Sequence, residues 1–230
     1  MALFGIADLH LSLGSDKPMD VFPGWGNYVE KLKANWCKLI RPEDTVVIAG
    51  DISWAMKLTE CYQDFSFLNS LPGRKILIKG NHDYWWTTKK KMDHYLSENH
   101  FDTIWILFNN AYMTDEFSIS GSRGWLRDSQ EDADVKILNR EVRRLQASLA
   151  QAKATGLETV VFLHYPPIYG DSKCNAIINV LKENNIKRCY YGHIHGGKML
   201  KYAFNGIDES IHYKLISGDC INFIPLIIIK

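Results

Sequence analysis

The sequence has little net charge, no closely spaced cysteines and no apolar run long enough to span a bilayer. Lys and Arg total 27 against 26 Asp and Glu, a formal charge of +1 at pH 7. So even a balance sets up no strong field to select nucleic acid or an anionic membrane. The five cysteines, Cys37, Cys61, Cys174, Cys189 and Cys220, are odd in number and form no close pair. That argues against a disulfide framework and reads as reduced, mostly buried thiols in a cytosolic protein. The C-terminal run Ile224-Pro225-Leu226-Ile227-Ile228-Ile229 is too short for a membrane helix and reads as a buried terminal strand. Met1 to Ala7 lacks a basic segment and a cleavage site, so it reads as a first strand, not a signal peptide. There is no internal repeat, low-complexity tract or linker. With 46% hydrophobic and 23% charged residues, the chain suits one soluble domain over residues 1–230.

What is present is a series of apolar strands. Thr45-Val46-Val47-Ile48-Ala49 reads as a strand buried on both faces, and Gly50-Asp51 follows it. Leu3 to Ala7 delivers Asp8-Leu9-His10. Lys75 to Lys79 delivers Gly80-Asn81-His82-Asp83. Thr159 to Leu163 delivers His164, and Arg188 to Tyr191 delivers Gly192-His193-Ile194-His195. Helices alternate with these strands. Asn27 with Glu30 three residues on is a helix-start signature, followed by an apolar face of Val29, Leu32, Trp36 and Leu39. Further helices are expected over Leu58–Asn69, Thr88–Glu98 and Asn175–Asn184, and the longest over residues 135–152. Ile104–Phe108 and Phe117–Ser120 read as strands of a second sheet, with more strands around Tyr213–Ile216 and Ile221–Ile229.

In an open α/β sheet, ligands sit beyond the carboxyl ends of strands. A lone His after a strand is usually a packed residue. Five strand ends in succession, each carrying Asp, Asn or His, form a constellation instead. Imidazole, carboxylate and amide oxygen suit a borderline metal such as Mn, Fe, Co, Ni or Zn. No cysteine joins them, which argues against a structural zinc site.

These motifs, in this order, resemble those of the calcineurin-like metallophosphoesterases. The resemblance implies an α/β fold, a four-layer α/β/β/α sandwich of two mixed β-sheets flanked by helices. It implies two divalent transition-metal ions, manganese or iron first, with zinc, nickel or cobalt compatible. Asp8, His10, Asp51 and His195 would hold one ion, and Asp51, Asn81, His164 and His193 the other, with Asp51 bridging. Two metals about 3.5–4 Å apart clamp the attacking and leaving oxygens of an in-line displacement, and a bridging hydroxide is the expected nucleophile. With two dications, two aspartates and that hydroxide, the centre carries about +1 and attracts phosphate. By resemblance, His82 donates a proton to the leaving alkoxide or stays a neighbour of the phosphate, and Asp83 orients its ring.

Two positions depart from the family pattern or extend it. Many members carry a second aspartate three residues after the bridging one, and the protein phosphatases follow it with arginine. Trp54 and Ala55 stand there, which weakens the match to protein phosphatases. Arg123, with Arg127 second, is the candidate phosphate contact, the other reading being a surface turn anchored by Trp125. Tyr84-Trp85-Trp86 could wall the pocket or pack in the core. The expected function is hydrolysis of a small phosphomonoester or phosphodiester by a cytoplasmic enzyme. The alternatives are a metal-containing scaffold of weak activity, which would be expected to have lost ligands, or a nuclease, which neither the charge nor the length supports.

Overall fold

The computed structural model describes residues 1–125 and 132–230, the latter with side chains from residue 134 on. Arg127 lies outside the described residues. The first four strands are β1 (Leu3–Ile6), β2 (Thr45–Ala49), β3 (Arg74–Ile78) and β4 (Ile104–Ile106). They pair in parallel, in that order, in one sheet. Then come β5 (Tyr112–Met113), β6 (Phe117–Ser122), β7 (Glu158–Leu163) and a small hairpin, β8 (Ile168–Tyr169) with β9 (Ser172–Lys173). They are followed by β10 (Arg188–Tyr191), β11 (Gly206–Asp208), β12 (Ile211–Leu215) and β13 (Leu226–Ile229). The second sheet runs β11-β12-β10-β7-β6-β5, with a parallel centre and antiparallel edges. β13 returns to the first sheet, antiparallel to β1.

The helices are α1 (Tyr28–Leu39), α2 (Tyr62–Ser70), α3 (Lys89–Glu98), α4 (Asp132–Lys153) and α5 (Asn175–Glu183). The alternation of side chains along each strand sorts the interior into three cores. Val47 and Ala49 face Val160 and Phe162 between the sheets. Val46 and Ile48 face the other way, onto Leu32, Trp36, Phe65, Leu68 and Met92 of the first three helices. Val161 and Leu163 pack on Leu145 and Leu149 of α4 and on Ile177 and Leu181 of α5. Three cores between four layers are the expected sandwich of two mixed sheets flanked by helices.

Several local expectations change. Ile104–Ile106 belongs to the first sheet, because its backbone continues the parallel ladder beside Lys75–Leu77. The terminal strand is shorter than Ile221–Ile229 and is an edge strand, with Ile227 44% exposed. Residues Asp219–Ile221 form a 3-10 turn instead. Leu58–Cys61 is also 3-10, with the α-helix starting at Tyr62. At α1, Asn27 precedes the helix at φ 53° and makes no side-chain capping bond. Its role is backbone tolerance of the left-handed region, which Asn has and most residues lack.

Candidate metal centre

All five chemistry-bearing strand ends lie at the same edge of the sandwich. β1, β2 and β3 are contiguous in the first sheet, and β7 and β10 are neighbours in the second. The chain leaves several of these strands through the left-handed region. Asp8 (φ 56°), His10 (φ 45°), Asp51 (φ 51°) and His193 (φ 71°) all have positive φ without being glycine. Such backbone costs on the order of 1–3 kcal/mol per residue and persists where surrounding contacts enforce it. Gly80 shows how close the segments run: a Cβ there would collide with the Asp51 carboxylate.

Asp51 is the centre of the arrangement and is 1% exposed. Its Oδ1 accepts the His82 N–H at 2.8 Å. Its Oδ2 is buried with no hydrogen-bond partner. That oxygen lies 3.7 Å from His10 Nε2 and 3.6 Å from His164 Nε2. Two donor groups therefore share Asp51: Asp8, His10 and Asp51 in one, Asp51, His164 and His193 in the other, with the donor atoms of each within 4.8 Å of one another. A backbone N–H takes Oδ1, and Oδ2 faces both groups. His195 joins the first group at the level of its ring, 5.1 Å from that of His10.

The second group includes Asn81. Its Oδ1 lies 2.7 Å from His164 Nε2 and 2.8 Å from His193 Nδ1. His164 Nδ1 is 3.1 Å from the Ala49 carbonyl, which only accepts, so the ring proton sits on Nδ1. Nε2 then turns its lone pair toward an amide oxygen that is also an acceptor, and a cation resolves that opposition. Burial pushes His164 and His193 down to about 3, so both rings are neutral at pH 7. His10 is lowered as well, by burial and by neighbouring imidazoles, and both its ring nitrogens are buried without a partner. Asp8 is raised well above the usual carboxylate range by burial and by the charge of Asp51. The unpartnered His10 nitrogens and Asp51 Oδ2, beside the equally buried Asp8 and His164, are the donor set that a pair of divalent ions needs.

A calcineurin-like phosphoesterase family model matches residues 1–197. The chain belongs to that family. It is a family of metal-dependent phosphoester hydrolases, and the donor groups just described fit that chemistry. Among solved structures, the chain is similar to a protein of unknown function, AQ665, from Aquifex aeolicus (18% identity, TM-score 0.54, covering 98% of this chain and 95% of that one). It is also similar to phosphopantetheinyl hydrolase from Mycobacterium tuberculosis (15% identity, TM-score 0.55, 94% and 88%). A third is TT1561 of Thermus thermophilus (11% identity, TM-score 0.54, 87% and 85%). No curated protein matches the chain.

Within this phosphoesterase fold, Asp83 does something other than orient His82. Its carboxylate is fully buried and accepts the backbone N–H groups of Asp51, Ile52, Ser53 and Gly80 and the indole N–H of Trp85. His82 Nδ1, by contrast, is buried and unpartnered. Through those hydrogen bonds the side chain ties the loop after β2 to the loop after β3. Of the aromatic triplet, Trp85 and Trp86 are core residues, and only Tyr84, 53% exposed, stands at the rim, edge-on to His82.

Arg123 is 13% exposed and turns its guanidinium toward buried Glu141, 3.7 Å away, and over the rings of Trp125 and Tyr165. Its main-chain carbonyl accepts the N–H groups of His164 and Tyr165. One contact had no sequence signal beyond its departure from the family pattern. The Trp54 indole stacks on His10 at 4.9 Å and tilts against His82 at 4.6 Å.

Among the described residues, no helix is long and apolar enough to cross a membrane.

Proposed function

We propose that the chain is a dinuclear metal-dependent phosphohydrolase acting on a small phosphomonoester. The observation that supports it is the unpartnered Asp51 Oδ2, standing 3.7 Å from His10 Nε2 and 3.6 Å from His164 Nε2. In this reading Asp8, His10, Asp51 and His195 hold one ion. Asp51, Asn81, His164 and His193 hold the other. The all-oxygen-and-imidazole set favours manganese or iron and admits zinc, nickel or cobalt. When bound, the ions polarise the phosphoryl group and activate water for in-line attack.

The chain's own groups do the rest. Asp83 holds the two ligand loops together. His82 stands beside the centre and gives its proton to the leaving oxygen as the P–O bond breaks, a contribution of roughly 10²–10⁴-fold. The excess positive charge of the loaded centre favours a dianionic monoester. Arg123 serves the structure, with its side chain on Glu141 and its carbonyl holding the segment that carries His164. The phosphopantetheinyl hydrolase neighbour supports phosphoester hydrolysis on this fold, and at 15% identity it carries no substrate to this chain.

The test is to strip the protein, reload it with Mn²⁺, Fe²⁺, Zn²⁺ or Ni²⁺, and assay p-nitrophenyl phosphate and its bis ester. Metal-dependent turnover that favours the monoester is expected. Asp51→Asn should abolish turnover and lower the bound metal, measured by elemental analysis. Full activity in that variant would falsify the bridging assignment, and preference for the bis ester would move the substrate class to diesters.

A further inference from the structure

Binding of ions does not account for Trp54. Its backbone N–H donates to the Leu11 carbonyl at 2.9 Å, and Leu11 bridges to Ser53 in parallel, so the indole is anchored to the segment that carries His10. One face of the indole lies against the His10 ring, 4.9 Å away with an interplanar angle of 23°. Lys17 Nζ stands 5.1 Å from the indole centre. The His82 ring leans on it at 4.6 Å and 53°.

His82 needs such a support. Its backbone N–H is fixed on Asp51, yet its Nδ1 is buried without a hydrogen bond. Rotation about the bond to an imidazole ring has a broad energy profile, so it is set by neighbours. A carboxylate commonly supplies that orientation, but Asp83 is committed to five donors elsewhere. The other rings beside it, among the described residues, are those of His10 at 5.6 Å and Tyr84 at 6.1 Å. Tyr84 is 53% exposed and does not confine it. Trp54 is nearest, and it is itself pinned by His10.

We propose that Trp54 is the positioning residue for His82. Its indole plane sets the rotation of the ring toward the leaving-group oxygen, so that aromatic packing replaces a hydrogen-bonded carboxylate. The inference rests on the reading of His82 as the group that assists the leaving oxygen.

The experiment compares wild type, His82→Ala, Trp54→Ala and Trp54→Phe, all loaded with Mn²⁺. Metal content is measured, and kcat and KM are taken across monoesters of nitrophenol, phenol and an alkyl alcohol. Trp54→Ala is expected to keep its metal and KM. Its kcat should fall on the order of tenfold to a hundredfold for the alkyl ester and little for the nitrophenyl ester, a part of the roughly 10²–10⁴-fold that a positioned acid contributes. Trp54→Phe, which keeps a ring against His82, should recover most of the loss. A graded loss in His82→Ala with an even loss across leaving groups in Trp54→Ala would overturn the proposal alone. So would loss of metal in both Trp54 variants, which would mean that the indole acts through His10. An even loss in His82→Ala would remove the reading beneath it.

Discussion

At the scale of single residues, the centre depends on which acceptor each N–H finds. Asp83 shows this best, because both its oxygens are filled by donors from two loops. Burial and the nearby Asp51 charge lift its carboxyl to about 7. Asp83→Asn keeps the shape but turns an NH₂ group toward N–H donors, leaving buried groups unpaired at about 1–3 kcal/mol each. The variant should lose about 3 kcal/mol of stability in a denaturant melt. It should also bind less metal, although Asp83 touches no ion in this reading. A variant with wild-type stability and metal content would mean that the loops hold their places by other contacts.

At the scale of elements, the strand ends were legible because each apolar run stops abruptly at a polar cluster. β2 shows the rule, with five buried residues and then Gly50 and Asp51. Periodicity likewise marked α4, which was expected over 135–152 and spans Asp132–Lys153. Sheet membership was not legible for Ile104, because pairing with β3 or with a strand of the other sheet demands the same apolar residues. The task of Asp83 was hidden for a related reason: its donors at Asp51, Ile52 and Ser53 are some thirty residues away and are main-chain groups. Asn27 failed differently, since Asn serves both as a side-chain cap and as a left-handed residue. The two roles separate by substitution. Ser is an equal cap but a poor left-handed residue, so Asn27→Ser should cost about 1 kcal/mol in thermal unfolding. Asn27→Gly should be within about 0.5 kcal/mol of wild type, because relief of strain offsets the freer unfolded chain. A neutral Asn27→Ser would restore the capping role.

At the scale of the whole molecule, the centre joins two sheets. The first supplies Asp8, His10, Asp51 and Asn81; the second supplies His164, His193 and His195. Hydrogen bonds already cross there, from Ala7 N–H to the Ile216 carbonyl and from His193 N–H to the Asp8 carboxylate. Ions at Asp51 would add ties between the same layers, so loading should be read in global stability. Ions at a hundredfold excess over Kd contribute about 2.7 kcal/mol per site. For a chain of this size that is on the order of 5–10 °C in Tm per site. The pH dependence has a definite sign. Raised carboxyls, Asp8, Asp51 and Asp83, favour the stripped fold while protonated, and that contribution is lost as pH rises above about 4, for Asp83 through about 7. The lowered imidazoles work oppositely, losing their contribution as pH falls from about 6.5 toward 3. Bound cations require charged carboxylates and neutral rings, so they compete with protons in both sets. The gap in Tm between loaded and stripped protein should therefore widen steadily from pH 4 to pH 7, as followed by calorimetry at fixed free metal. A gap independent of pH, or one that narrows as pH rises, would mean that the ions bind somewhere other than this buried cluster.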